Sequence, residues 1–74
     1  MHKAEISNRI RELRFKAGEM TQQALADSVG VTRQTVIALE RRKYYPSLEL
    51  AFLIADSFGV TLEEVFQHQS PKNE

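Results

Sequence analysis

A chain of 74 residues without cysteine allows one small domain held together by packing or by association, and it excludes large enzyme folds, disulfides and thiolate zinc sites. Its ten basic and ten acidic side chains cancel in total, but residues 1–43 carry a net charge of +4 and residues 44–74 a net charge of −4. This division indicates an anion-binding half or, alternatively, two solvated faces that attract each other.

The apolar spacing predicts an all-α domain of five short helices over residues 1–66, followed by a polar, flexible tail over residues 67–74. The first helix begins near Ile6, has Ile10, Leu13 and Ala17 on its inner face, and ends at Gly18.

The second and third helices are separated by only two residues. Thr21 is the predicted N-cap of a helix over residues 22–28 with Ala24, Leu25 and Val29 inward, and Gly30 ends it. Thr32 is the predicted N-cap of the next helix, over residues 33–41. Two short helices joined so tightly cross steeply, which is the geometry of a helix-turn-helix.

The last two helices are also marked by caps. Ser47 precedes a fourth helix that runs to Phe58, with an inward set of Leu48, Ala51, Ile54, Ala55 and Phe58. Thr61 and Glu64 form a capping-box pattern that opens the fifth helix, whose apolar residues are Leu62, Val65 and Phe66.

The third helix has an unusual outward face. Val36 and Leu39 lie on the same side of a helical wheel and are predicted to face the core. The residues predicted to face outward are Arg33, Gln34, Ile37, Ala38 and Arg41. Arginine can pair with guanine, glutamine can pair with adenine, and small apolar groups can contact the thymine methyl in a DNA major groove. The alternative is an ordinary amphipathic helix with two chance basic residues.

A basic and aromatic loop follows this helix, consisting of Arg41, Arg42, Lys43, Tyr44 and Tyr45. Contact with DNA phosphates is the expected role of these cations and of the Tyr44 hydroxyl. Two alternatives remain. The tyrosines could stack on single-stranded bases, although no sheet is predicted to present them, or the loop could be a solubilising charge run with one tyrosine packed on the core.

The run from Met20 to Glu40 resembles the helix-turn-helix of the phage repressor and Cro class, also called the Xre family. Residues 46–51 and 58–66 resemble the fourth and fifth helices of its small bacterial and archaeal members. The resemblance implies a compact five-helix, lambda-repressor-like DNA-binding domain. It further implies a dimeric transcriptional regulator, usually a repressor, that binds a palindromic operator.

The resemblance also implies roles for individual residues. It places at the base-reading positions Arg33, Gln34, Ile37 and Ala38. It places near the DNA backbone Gln22, Thr32, Thr35 and Lys43 with its neighbours. It implies a structural ion pair between Arg14 and Glu40.

The acidic half carries a candidate association surface. Phe52 and Leu53 lie beside the inward set of helix four, and Tyr45, Leu50 and Phe66 are expected to extend the apolar patch. In this respect the chain departs from the family that it resembles, since many members of that family have a lysine or arginine where Leu53 stands. We expect a homodimer interface formed by Phe52, Leu53 and Phe66; the alternative is that Phe52 or Leu53 completes the core.

Other function classes receive little support. His2 and His68 lie near opposite ends without a cysteine partner, so we expect no enzyme, metal site or cofactor. The longest apolar run has six residues, against about 20 needed to cross a bilayer, so a cytoplasmic protein without a membrane partner is expected. The expected partner is double-stranded DNA. The rival is an antitoxin-like or adaptor module that binds a different protein.

Overall fold

The computed structural model describes residues 5–69 and is mostly helical. Its elements are, in chain order, β1 (Glu5–Asn8), α1 (Ile10–Lys16), α2 (Gln22–Val29), α3 (Arg33–Glu40), α4 (Leu48–Phe58), α5 (Leu62–Val65) and β2 (Phe66–Gln69). All five predicted helices are therefore present. His2 and residues 70–74 of the predicted tail lie outside the described residues.

A two-stranded antiparallel sheet joins the two ends of the described chain, so the prediction of an all-α fold is wrong. Glu5 pairs with Gln69 and Asn8 pairs with Phe66. Ile6 belongs to this sheet rather than to the first helix, and residues 67–69 continue β2. Helical periodicity is a local signal, and it carries no information about pairing between residues about sixty positions apart.

Asn8 explains why α1 begins later than its apolar spacing suggests. The side-chain Oδ1 of Asn8 accepts a hydrogen bond of 3.2 Å from the backbone N–H of Ile10, which satisfies a free donor at the start of α1. The Asn8 Nδ2 atom also donates to the carbonyl of Leu39, at 2.9 Å, near the end of α3. One side chain thus ends the strand, starts α1 and ties both to α3.

The predicted caps are where α2 to α5 begin. At each start, the cap hydroxyl accepts a hydrogen bond from a backbone N–H three residues later, and the caps are Thr21, Thr32, Ser47 and Thr61. Thr61 and Glu64 complete the capping box in both directions. Gly30 ends α2 with a φ of 79°, a backbone conformation that glycine adopts without strain, and this sharp turn leads directly into α3.

The core lies between the helices and the sheet. Its largest fully buried side chains are Ile10, Leu25, Val36, Leu39, Ile54 and Val65. Several predicted inward positions are wrong: Leu48 is 68% exposed, and Ala17 and Ala24 are also exposed. Leu50 faces the core instead, because the Ser47 cap sets the start of α4 so that Leu50 and Ile54, four residues apart, share the inner face.

In the described part of the chain, helices are too short or too polar to cross a membrane. The same residues contain no group of three or more histidine and carboxylate side chains placed to hold a metal ion.

Candidate nucleic-acid interface

The outer face of α3 carries the four residues predicted to read bases. Val36 and Leu39 are 0% and 1% exposed and anchor the opposite face in the core. Because this side is anchored, the other side of α3 faces outward. On it, Arg33 and Gln34 are exposed, and Ile37 and Ala38 are half-buried.

The N-terminal end of α3 is held by two threonines that were predicted to lie near the DNA backbone. The Thr32 hydroxyl accepts a hydrogen bond of 3.2 Å from the backbone N–H of Thr35, and the two hydroxyl oxygens are 3.1 Å apart. The positive end of the helix dipole therefore lies beside two hydroxyl groups, an arrangement suited to a phosphate oxygen.

The C-terminal end of α3 is closed by a Schellman motif built on an arginine. The backbone N–H of Lys43 donates to the carbonyl of Ala38 at 2.9 Å, and that of Arg42 donates to Leu39 at 3.0 Å. Arg42 has a φ of 59°, in the left-handed region where glycine is usual. This turn leaves exposed the basic side chains Arg41, Arg42 and Lys43.

The two loop tyrosines are also open to solvent. Tyr44 and Tyr45 are 47% and 52% exposed, so about half of each side chain is open to solvent.

An ion pair fixes α3 to the first helix. The Arg14 Nε atom lies 2.7 Å from Glu40 Oε2, and Arg14 Nη2 donates to Glu40 Oε1 at 3.2 Å. Arg14 Nη1 donates to the carbonyl of Met20 at 2.8 Å. The two charged side chains are only 8% and 11% exposed. A bidentate, largely buried pair of this kind fixes the angle between α1, the following turn and α3.

Gln22, predicted to bind a phosphate, belongs to the same network. Its Nε2 atom donates to Glu40 Oε1 at 3.2 Å. A glutamine amide has two N–H donors and one carbonyl acceptor, so this bond leaves one donor available for a phosphate oxygen. Gln22 therefore links the start of α2 to the end of α3.

An open groove of about 1390 Å³ lies between α1, the start of α2 and α3. Its lining contains two carboxylates, Glu12 and Glu40, and six cations, namely Arg9, Arg11, Arg14, Lys16, Arg33 and Arg41. The net charge of the lining is +4. The groove shares Arg33, Ile37 and Arg41 with the outer side of α3, so it opens beside the predicted base-reading face.

Two residues of this groove were missed by the reasoning from sequence. Phe15 is 52% exposed, and the Cζ atom of Arg11 lies 5.6 Å from the centre of its ring. The sequence contained a sign of this pair. Phe15 does not share the helical spacing of the inward residues Ile10 and Leu13, and Arg11, four residues before it, lies on the same side of the helix.

The proposed association surface is partly as expected. Phe52 and Leu53 are 49% and 42% exposed on α4, and Leu48, four residues before Phe52, is also exposed. Phe66 differs, since it is half-buried, packs against the core and pairs with Asn8 in the sheet. We use the name α4 patch for Leu48, Phe52 and Leu53.

Comparison with known proteins extends these observations. The helix-turn-helix family model matches residues 10–65. An uncharacterized HTH-type transcriptional regulator of Methanocaldococcus jannaschii is 54% identical over 50 residues, which are 68% of this chain and 76% of that protein. Another, from Bacillus subtilis, is 46% identical over 61 residues, which are 82% of this chain and 91% of that protein.

The fold has a counterpart among solved structures. A crystal structure of a Bacteroides fragilis protein matches with a TM-score of 0.76 at 22% identity, over 85% of this chain and 100% of that one. The matched family consists of non-enzymatic DNA-binding regulators. With the family model covering most of the chain, and with relatives about half identical, the chain belongs to the Xre, or Cro/C1-type, family of helix-turn-helix transcriptional regulators.

Proposed function

We propose that this regulator is a cytoplasmic repressor that binds a palindromic operator as a homodimer, with α3 of each subunit in the major groove. The observation that carries the proposal is the outward face of α3. Arg33 and Gln34 are exposed there beside two half-buried apolar side chains, while Val36 and Leu39 hold the helix to the core.

Each side chain on this face suits a particular base edge. The Arg33 guanidinium can donate two hydrogen bonds to O6 and N7 of a guanine, and the Gln34 amide can pair with N6 and N7 of an adenine. Ile37 and Ala38 present methyl groups that suit the methyl of a thymine.

The residues around α3 are placed to position it on the backbone. At its start, phosphate oxygens would be met by Thr32, Thr35 and the free donor of Gln22. At its end they would be met by the exposed loop side chains Arg41, Arg42, Lys43 and Tyr44.

The α4 patch supports pairing of two subunits. Exposed phenylalanine and leucine side chains on a small domain mark an association surface, and a two-fold contact between equal patches is closed and self-complementary. Reading half-sites on successive turns of DNA requires the two α3 helices of the dimer to lie about 34 Å apart. The resemblance to the phage repressor and Cro class, whose members are usually repressors, is what supports repression.

The test is selection of bound duplexes from a random-sequence pool, using the full chain. We expect an inverted repeat whose half-sites lie about 10 base pairs apart, centre to centre. A consensus without two-fold symmetry would overturn the homodimeric operator, and recovery of unenriched sequence would overturn specific reading by α3.

The α4 patch also favours a second candidate, an antitoxin-like or adaptor module in which the patch binds a different protein. Salt separates the two functions. DNA affinity through several phosphate contacts falls steeply as salt rises, whereas an apolar protein interface is much less sensitive. A chain that stays monomeric at every concentration and on DNA would favour this second function over the homodimer.

A further inference from the structure

We propose that the groove between α1 and α3 is a second DNA-contact surface, in which Arg11 binds a backbone phosphate and Phe15 packs against the deoxyribose of the same strand. This inference rests on the proposed insertion of α3 into the major groove and extends it to a helix outside the helix-turn-helix. It adds Arg11 and Phe15 to the residues that set affinity.

The position of the groove beside α3 is the first argument. Arg33, Ile37 and Arg41 follow one another at intervals of four residues and form one wall of the groove. A helix with its side chains is about 10 to 12 Å wide and the major groove about 12 Å, so the sugar-phosphate strand bordering the major groove must run directly beside an inserted helix. On the α1 side of α3, that strand would lie in this groove.

The charge of the groove is the second argument. Among residues 5–69, its carboxylates are already engaged, since Glu40 is paired with Arg14 and Glu12 with Lys16 at 3.1 Å. The remaining four cations of the lining form no ion pair within the same residues, and they are Arg9, Arg11, Arg33 and Arg41. An open groove with four unneutralised guanidinium groups is complementary to a polyanionic strand.

The arrangement of Arg11 and Phe15 is the third argument. An exposed phenylalanine inside a basic groove is costly in water, and it gains free energy when an apolar surface covers it. A deoxyribose ring supplies such a surface next to each phosphate. The guanidinium of Arg11, lying 5.6 Å from the ring centre, is partly pre-organised by the ring to donate to that phosphate.

The experiment measures affinity for a mixed-sequence duplex of about 30 base pairs by fluorescence anisotropy over a series of salt concentrations, with the full chain. We expect Arg11→Gln to weaken binding and to reduce the slope of log affinity against log salt by about 0.9, the value for one lost phosphate contact. Arg11→Lys should restore most of that slope.

Phe15→Ala tests the sugar contact separately. We expect about tenfold weaker binding with an unchanged salt slope, the change for roughly 55 Å² of apolar surface no longer covered at about 25 cal/mol per Å². Phe15→Leu keeps apolar bulk and should lose less affinity. Thermal unfolding of each variant shows whether the domain is intact.

The matched control is Ser28→Asp. It lowers the net charge by one, as Arg11→Gln does, but its side chain is exposed beside Ser57 of α4 and does not line the groove. If Arg11→Gln changes the slope no more than this control, or if folded Phe15→Ala and Phe15→Leu bind like the parent chain, the second contact surface is overturned. Failure of the parent chain to bind both this duplex and every duplex of the selected pool would instead overturn the proposed function.

Discussion

Arg42 occupies a backbone conformation that glycine adopts at lower cost, and replacing it should separate stability from DNA binding. Its φ of 59° closes the turn after α3. A left-handed conformation costs a non-glycine residue about 1 to 2 kcal/mol. Glycine in turn lowers the free energy of unfolding by about 0.5 to 1 kcal/mol, because it has more conformational freedom in the unfolded chain. Arg42→Gly should therefore stabilise the domain by between 0 and about 1.5 kcal/mol, a rise in Tm of up to roughly 12 °C for a domain of this size.

The same substitution removes an exposed cation next to α3 and should weaken DNA binding. We expect a fall of about 0.9 in the slope of log affinity against log salt, because one phosphate contact is lost. Arg42→Lys keeps the charge and should keep the slope. Thermal unfolding followed by circular dichroism measures the first effect, and anisotropy over a salt series measures the second.

Glu19 provides the matched control, since it also has a φ of 59° but lies in the turn after α1 and not among the proposed contact residues. Glu19→Gly should stabilise the domain by a similar amount without loss of DNA affinity. A lower Tm for Arg42→Gly would refute the argument from backbone strain. An unchanged salt slope for a folded Arg42→Gly would show that this arginine makes no phosphate contact.

Three further predictions concern α3, the α4 patch and the buried ion pair. Gln34→Ala should cost about 1 to 3 kcal/mol on the selected operator and little on random duplex; equal losses on both would show that Gln34 does not read bases. Leu53→Lys places a charge in the α4 patch and should lower self-association in sedimentation experiments while each subunit stays folded; an unaltered dimer would count against the patch. Glu40→Ala leaves the buried Arg14 guanidinium without its carboxylate and should destabilise the domain by about 3 kcal/mol in thermal unfolding. Adding Arg14→Met should recover most of that loss, and a double variant as unstable as Glu40→Ala would contradict the assigned cause.

The helix-turn-helix was predictable from sequence because its signals are local. A threonine hydroxyl that caps a helix and a glycine that ends one act on residues three or four positions away, as Thr21, Gly30 and Thr32 do. The apolar residues Val36 and Leu39 then determine which face of α3 is outward. At this site the helical spacing and the caps indicate the same helix bounds, which is why the helix-turn-helix could be predicted from the sequence.

The features that were not predicted depend on contacts between residues far apart in the sequence, or on which side of a helix faces the core. The β1–β2 sheet pairs mostly polar residues from opposite ends of the described chain, and no local pattern marks that pairing. Leu48 was predicted to be buried, but Leu50 is buried in its place. The two side chains are identical, so only the way α4 packs on the core determines which of them is buried. The groove beside Phe15 exists only once α1 and α3 are brought together through Arg14 and Glu40.

The bond from Asn8 to Leu39 also affects the order in which the domain forms. Asn8 pairs with Phe66, so the strand that holds Asn8 in place contains some of the last described residues to leave the ribosome. Closing such a long loop carries a larger entropy cost than forming local helices, and it is slow relative to them. During synthesis, α2 and α3 can therefore form early, and we expect the bond from Asn8 to Leu39 to be completed after β2 has emerged.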